Sequence, residues 1–168
     1  MLNNDFFINT VRFIALVLLQ ILLLNNINFM GYINPYAYIT FILVFPLNAN
    51  KSLLIFLAFL IGLTIDMFMD SGGVHAAACS FIAYIRPWIL KFSFGVSYEH
   101  NTIRIGKTSM AQRFSYVGVM VLLHHFILFS LEIFSLEHIL LIVKSTLFSG
   151  IFTILIVLGL IILFSRKN

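Results

Sequence analysis

The chain alternates long apolar runs with short polar breaks, and no charged residue falls between Phe13 and Asn50. Runs of this length, without two-residue alternation, are the pattern of helices written for hydrocarbon. They predict six helices, over 8–24, 30–47, 52–69, 74–90, 114–134 and 139–164, with the polar stretch 91–113 as the one sizeable loop. The second is the weakest, because its apolar part from Tyr36 to Leu47 makes about 18 Å of helix against a hydrocarbon core of about 30 Å. It must draw in residues from near Met30 or turn back, and Pro46 agrees with a helix stopping there. Asn25, Asn26, Asn28, Gly31, Asn34 and Pro35 form a turn-rich connection before it. The short turn Asp70-Ser71-Gly72-Gly73 makes the third and fourth helices antiparallel neighbours.

Composition narrows the class. Of 168 residues, 61% are hydrophobic and 10% charged, against about 25% charged in soluble domains, which excludes a soluble globule. Lipid offers backbone groups no partners, so the spans must be helices or a closed barrel, and the missing alternation excludes the barrel. The expected fold is all-α: an integral membrane protein with a compact bundle of six transmembrane helices, one domain over 1–168. No small-residue cleavage pattern follows Leu24, so the first segment reads as an uncleaved span.

The net charge of +4 does not signal nucleic-acid binding, because the basic residues are spread over short loops. With the N-terminus inside, one side of the membrane holds Arg12, Lys51, Lys91, Arg104, Lys107, Arg113, Arg166 and Lys167, and the three connections on the other side hold no Lys or Arg. This asymmetry predicts cytoplasmic N- and C-termini. Arg86 and Lys144 lie within spans, where long stems carry their charges toward the interfaces. Asp70, Glu132 and Glu137 collect on the outer side, with His138 beside them.

Asp66 is the most informative position, since a carboxylate about 21 Å along the third helix lies inside the hydrocarbon and needs compensation. Gly62, Asp66 and Asp70 share one helix face, and Gly62 lets a neighbouring helix approach closely. Past Gly72 and Gly73, the free N–H groups of the fourth helix and His75 are the nearest donors, so Asp66 is expected to tie this hairpin together or bind a partner, with a proton or ion site as the alternative. Arg86-Pro87 marks a weakened stretch of the fourth helix; Arg86 either donates to unpaired carbonyls there or, as favoured, reaches for the headgroups. His124 and His125 lie near the middle of the fifth helix, where adjacent imidazoles could relay protons or bind a metal; they point about 100° apart, which argues against both and for polar helix contacts. Cys79 is alone in an apolar segment and is expected to pack.

Several motif matches fail. Gly106-Lys107-Thr108 has Asn101 where a phosphate loop needs glycine, and no Gly-x-Ser-x-Gly elbow accompanies the histidines. The sequon Asn50-Lys51-Ser52 faces the cytoplasm. No catalytic, metal-ligating or cofactor-binding residue is expected, and no cofactor; the chain is not expected to be an enzyme.

The run Gly62-Leu63-Thr64-Ile65-Asp66-Met67-Phe68, then Ser71-Gly72-Gly73-Val74-His75-Ala76-Ala77 and Tyr84-Ile85-Arg86-Pro87, resembles the rod shape-determining membrane protein family MreD, in its Bacteroidetes-type form. That resemblance implies a non-enzymatic scaffold subunit of the cell-wall elongation complex in the bacterial cytoplasmic (inner) membrane. It also implies docking to the single-span protein MreC, and through it to wall synthases and the MreB filament. The fold it implies is similar to the S components of energy-coupling-factor transporters, which leaves a vitamin-binding transporter subunit as the alternative. Against that alternative, Ala15 is followed four positions on by Leu19, where those subunits carry a second small residue. The family supplies no site residue to carry across, so Gly62, Asp66, Gly72, Gly73, His75, Arg86 and Pro87 are structural or partner-binding candidates on physical grounds. Helix docking, including a second copy of this chain, is the expected contact, with the 91–113 loop meeting anionic lipid, as favoured, or a cytoplasmic protein.

The threading has a direct test. A cysteine at Lys107 is expected to react with a membrane-impermeant thiol reagent in inverted vesicles and not in intact cells; labelling from outside the cell reverses the topology.

Overall fold

The computed structural model describes residues 2–27, 29, 31, 33–47, 49–95, 98 and 105–165. Among them are six α-helices: α1 (Leu2–Leu22), α2 (Thr40–Val44), α3 (Lys51–Met69), α4 (Val74–Phe94), α5 (Met110–Ile133) and α6 (Ile139–Ser165). The remaining regular structure is short 3-10 turns and one isolated antiparallel bridge, Phe29 to Ile33. Asn28, Met30, Asn101, Arg104, Arg166 and Lys167, which entered the sequence reading, lie outside the described residues.

Four stretches are long and apolar enough to cross a membrane: Phe6–Asn26, Lys51–Met69, Met110–Ile133 and Ile139–Phe164. The α4 helix has the length, about 31 Å, and runs unbroken past Pro87 to Phe94, longer than the expected 74–90. At its start, α5 gains a turn over the expected 114. Ser109 caps it by accepting the Gln112 N–H, while its hydroxyl donates to Gln112 Oε1. Asn50, in the failed sequon, caps α3 by accepting from Ser52 N.

The second helix departs most from expectation. Between 30 and 47 the described helix is confined to Ala37–Val44, a 3-10 turn running into α2, about 12 Å long. It is not a lipid-facing span. Every residue from Pro35 to Leu43 is buried, Tyr38, Ile39, Ile42 and Leu43 completely. The long helices α1, α3, α4, α5 and α6 surround it, with Leu16, Ala58, Ile61, Ala78, Ile82, Met120 and Val157 in one continuous core with it. The outward faces carry large apolar side chains such as Phe56, Phe81, Phe126, Phe148 and Leu155.

Two ends of the bundle can be told apart. The turn end holds the α3–α4 connection and the α5–α6 connection, with Asp70, Glu132 and Glu137 all exposed. The loop end holds the start of α3, the end of α4 and the start of α5, where Phe94 packs on Tyr116 at 5.5 Å between rings. The Arg12 guanidinium lies 5.4 Å from the Phe164 ring, so α1 and α6 run antiparallel, Arg12 in the first half of α1 meeting the last turns of α6.

At the turn end α3 and α4 close tightly. Asp70 takes the left-handed conformation (φ 52°), and Gly72 (67°) and Gly73 (97°) follow, so glycine serves where side chains are strained. Below the turn, a Cβ on Gly62 would come within 2.5 Å of Ala76 Cα and 2.6 Å of His75 O. Both are backbone atoms and cannot step aside. Gly62→Ala is therefore expected to cost about 1–3 kcal/mol by overpacking, read as a lowered thermal midpoint in detergent, whereas Gly159→Ala, with open space around it, leaves the midpoint in place.

Candidate functional site

Three groups of buried polar side chains lie inside the bundle. The first is the Asp66 tie. Asp66 Oδ1 accepts from Ser71 Oγ at 2.6 Å and His75 N at 3.0 Å, and Oδ2 accepts from Ala76 N at 2.8 Å. Its main-chain carbonyl also accepts the Asp70 and Ser71 N–H groups. The amides of His75 and Ala76 are first-turn donors of α4, which have no partner in their own helix, and the positive end of the helix dipole faces the carboxylate. Three donors and no acceptor around the side chain form the setting of an ionised carboxylate. Gly62, Asp66, Gly72, Gly73 and His75 are thus brought together at one corner.

Arg86 and Pro87 stand apart from that corner, toward the loop end. Arg86 does not reach for the headgroups, as its sequence setting favours; it is buried, because acceptors lie within reach inside the protein. Its Nη2 donates to Phe45 O at 2.5 Å and Leu43 O at 3.3 Å, and its Nε to Tyr116 Oη at 3.0 Å. Tyr116 Oη in turn donates to Leu43 O at 3.2 Å. These carbonyls end α2, so a cation sits at a helix C-terminus where the next helical turn is missing.

The third group was largely invisible in the sequence. Tyr38 Oη lies 2.7 Å from His75 Nδ1 and 3.1 Å from His124 Nε2. His124 and His125, read as diverging, turn their Nδ1 atoms toward each other at 3.4 Å. Their Cα–Cβ bonds do diverge, but the rings rotate back into the same interior. His125 Nδ1 is 2.9 Å from Val121 O and its Nε2 is 3.0 Å from Thr153 Oγ1. Cys79, buried as expected, brings Sγ to 3.9 Å from His124 Nε2. The Tyr36 ring packs edge-on against all three histidines. No group of three or more His, Cys, Asp or Glu side chains suited to a metal ion occurs among the described residues.

Helices α1 and α6 supply the groups that hold the entry to this centre. Thr153 Oγ1 accepts from Tyr36 N at 3.0 Å, and Ser149 Oγ from Asn34 N at 3.0 Å. Gln20 Oε1 accepts from Ala37 N at 2.9 Å while its Nε2 donates to Pro35 O at 3.1 Å and Asn25 Oδ1 at 2.9 Å. Two sequence signals mark these residues. Gln20 is an isolated amide in an apolar run, and Ser145, Ser149 and Thr153 recur at four-residue steps on α6.

Gly106-Lys107-Thr108 closes a 3-10 turn just ahead of α5. Its carbonyls at Gly106 and Thr108 each accept from Arg113 Nη2 at 2.9 Å, so this turn presents oxygens to a cation of α5.

The fold and these three groups define a helical bundle with a polar centre and an apolar exterior. Compared with family models, with curated proteins and with solved structures, the chain finds no match in any of the three.

The tie at Asp66 can be weighed against a surface acid. Asp66→Ala strands the buried amides of His75 and Ala76, at about 1–3 kcal/mol each, and is expected to lower the thermal midpoint and the yield of folded protein. Glu137→Ala, at an exposed position, is expected to change neither; equal behaviour of the two variants would show that the tie carries no weight.

Proposed function

We propose that the chain is a multi-pass membrane protein that acts by docking other membrane helices, as the MreD-like scaffold subunit of a rod-shape complex in the bacterial cytoplasmic membrane. In that role it engages MreC, and through MreC the wall synthases and the MreB filament, without catalysing a reaction. The reading rests on the sequence resemblance at residues 62–87. One structural observation supports a scaffold over an enzyme: the motif residues Gly62, Asp66, Gly72, Gly73, His75 and Arg86 are spent on turning the chain, closing α3 on α4 and anchoring α2. A bundle whose polar groups are engaged inward has its apolar flanks left for partners, and packing between helices is the interaction available in lipid.

The alternative, a vitamin-binding transporter subunit, needs a space near the turn end that receives a ligand. Tyr36 and Tyr38 fill the polar centre there with the protein's own rings.

Gentle purification from native membrane, followed by identification of what accompanies the chain, distinguishes the two. A single-span wall-elongation protein is the expected companion. An ATPase module, a bound vitamin, or no single-span companion at all would overturn the scaffold role.

A further inference from the structure

Thr10, Thr64, Ser80 and Ser130 each donate their hydroxyl to the carbonyl four residues earlier in their own helix. Thr146 on α6 does not. The residue is 7% exposed, and its Oγ1 has no hydrogen-bond partner among the described residues. A buried hydroxyl left in this way is costly unless something from outside the chain completes it.

The packing of α5 on α6 shows what Thr146 faces. Thr153 Oγ1 lies 3.0 Å from His125 Nε2, and a Cβ on Gly150 would stand 3.1 Å from Leu122 Cδ2. Because the two helices are antiparallel, one heptad toward the turn end carries His125 to Glu132 and Thr153 to Thr146, about 10 Å farther along the same two faces. Glu132 is exposed, so this position is open to water. The segment from Asn34 to Tyr36 forms its floor. Ser149, one turn below Thr146, holds Asn34 N, and Phe129, one turn below Glu132, packs on the Tyr36 ring. The Tyr36 hydroxyl meets the Asn34 side chain and feels the charge of Glu132. Lys144, two positions before Thr146, is turned about 200° round α6, onto the exposed face and away from this interface.

We propose that Glu132 and Thr146 form a site for an alkali-metal cation, sodium or potassium, at the turn end between α5 and α6. The carboxylate and the hydroxyl lone pairs are hard oxygen donors, which suit a hard cation. A single carboxylate matches a single positive charge. Asp70 and Glu137, exposed at the same end, add a negative field that concentrates cations there. The cation completes the one oxygen that the chain leaves unmet, and it reaches the site from water past Glu132 without crossing the bundle. The proposal goes beyond the scaffold role and does not rest on it.

The test uses the full chain in detergent, with the thermal midpoint read in sodium, potassium and choline chloride at equal ionic strength. Sodium or potassium is expected to raise the midpoint saturably, as a ligand of the folded state does, and choline to leave it in place; the stronger of the two metals identifies the ion. Thr146→Val removes the hydroxyl at nearly constant volume, and Glu132→Gln removes the charge. Both are expected to abolish the shift, while Glu137→Gln keeps it. No saturable shift, an equal shift in all three salts, a shift that survives Thr146→Val or Glu132→Gln, or one lost equally in Glu137→Gln would overturn the proposal. The first two outcomes are read on the unsubstituted protein, so the test stands even where a variant does not fold.

Discussion

A backbone amide or carbonyl inside an apolar bundle must find its partner in the protein, and the stretch from Asn34 to Phe45 obeys that constraint at every break in its helix. On the way in, the amides of Asn34, Tyr36 and Ala37 and the carbonyl of Pro35 meet Ser149, Thr153 and Gln20. On the way out, the carbonyls of Leu43 and Phe45 meet Arg86 and Tyr116. Irregular backbone in an apolar interior is tolerated where protein surrounds it, and here five long helices do so. Gln20, Arg86, Tyr116, Ser149 and Thr153, scattered through those helices, therefore share a purpose: they complete a segment too short to complete itself.

The same logic explains two of the buried charges. Asp66 faces first-turn amides of α4, and Arg86 faces last carbonyls of α2, so each is matched to helix-end groups rather than to an opposite charge. Gly62 lets the Asp66 corner close, because any side chain there would meet the α4 backbone. Between these anchors lie Tyr38 and the histidines, held by hydrogen bonds from four different parts of the chain.

Much of the outer frame was legible in the sequence. Apolar runs bounded by Asp70-Ser71-Gly72-Gly73 and by 91–113 mark α3, α4 and α5 to within a few residues, since a helix in an apolar setting is written in hydropathy. The Asp66 corner was legible as well, because a lone acid next to a glycine turn and a helix start has few possible partners. Helix α2 was not, since hydropathy does not distinguish a segment surrounded by lipid from one surrounded by protein. Arg86 was misjudged for the same reason: its acceptors come from residues 43 and 45, whose nearness is a property of the packed bundle. The meeting of His124 with His75 depends on Tyr38, a residue that reads in sequence as one aromatic among many.

The anchors of the α2 segment also impose an order on biogenesis. Ser149 and Thr153, which hold Asn34 and Tyr36, lie 115 and 117 positions later in the chain. When this segment leaves the ribosome its amides lack these hydroxyls, and they acquire them only after the last helix has been synthesised. The centre of the bundle is consequently the last part to settle, and a nascent chain halted before α6 leaves the α2 segment without two of the groups that hold it.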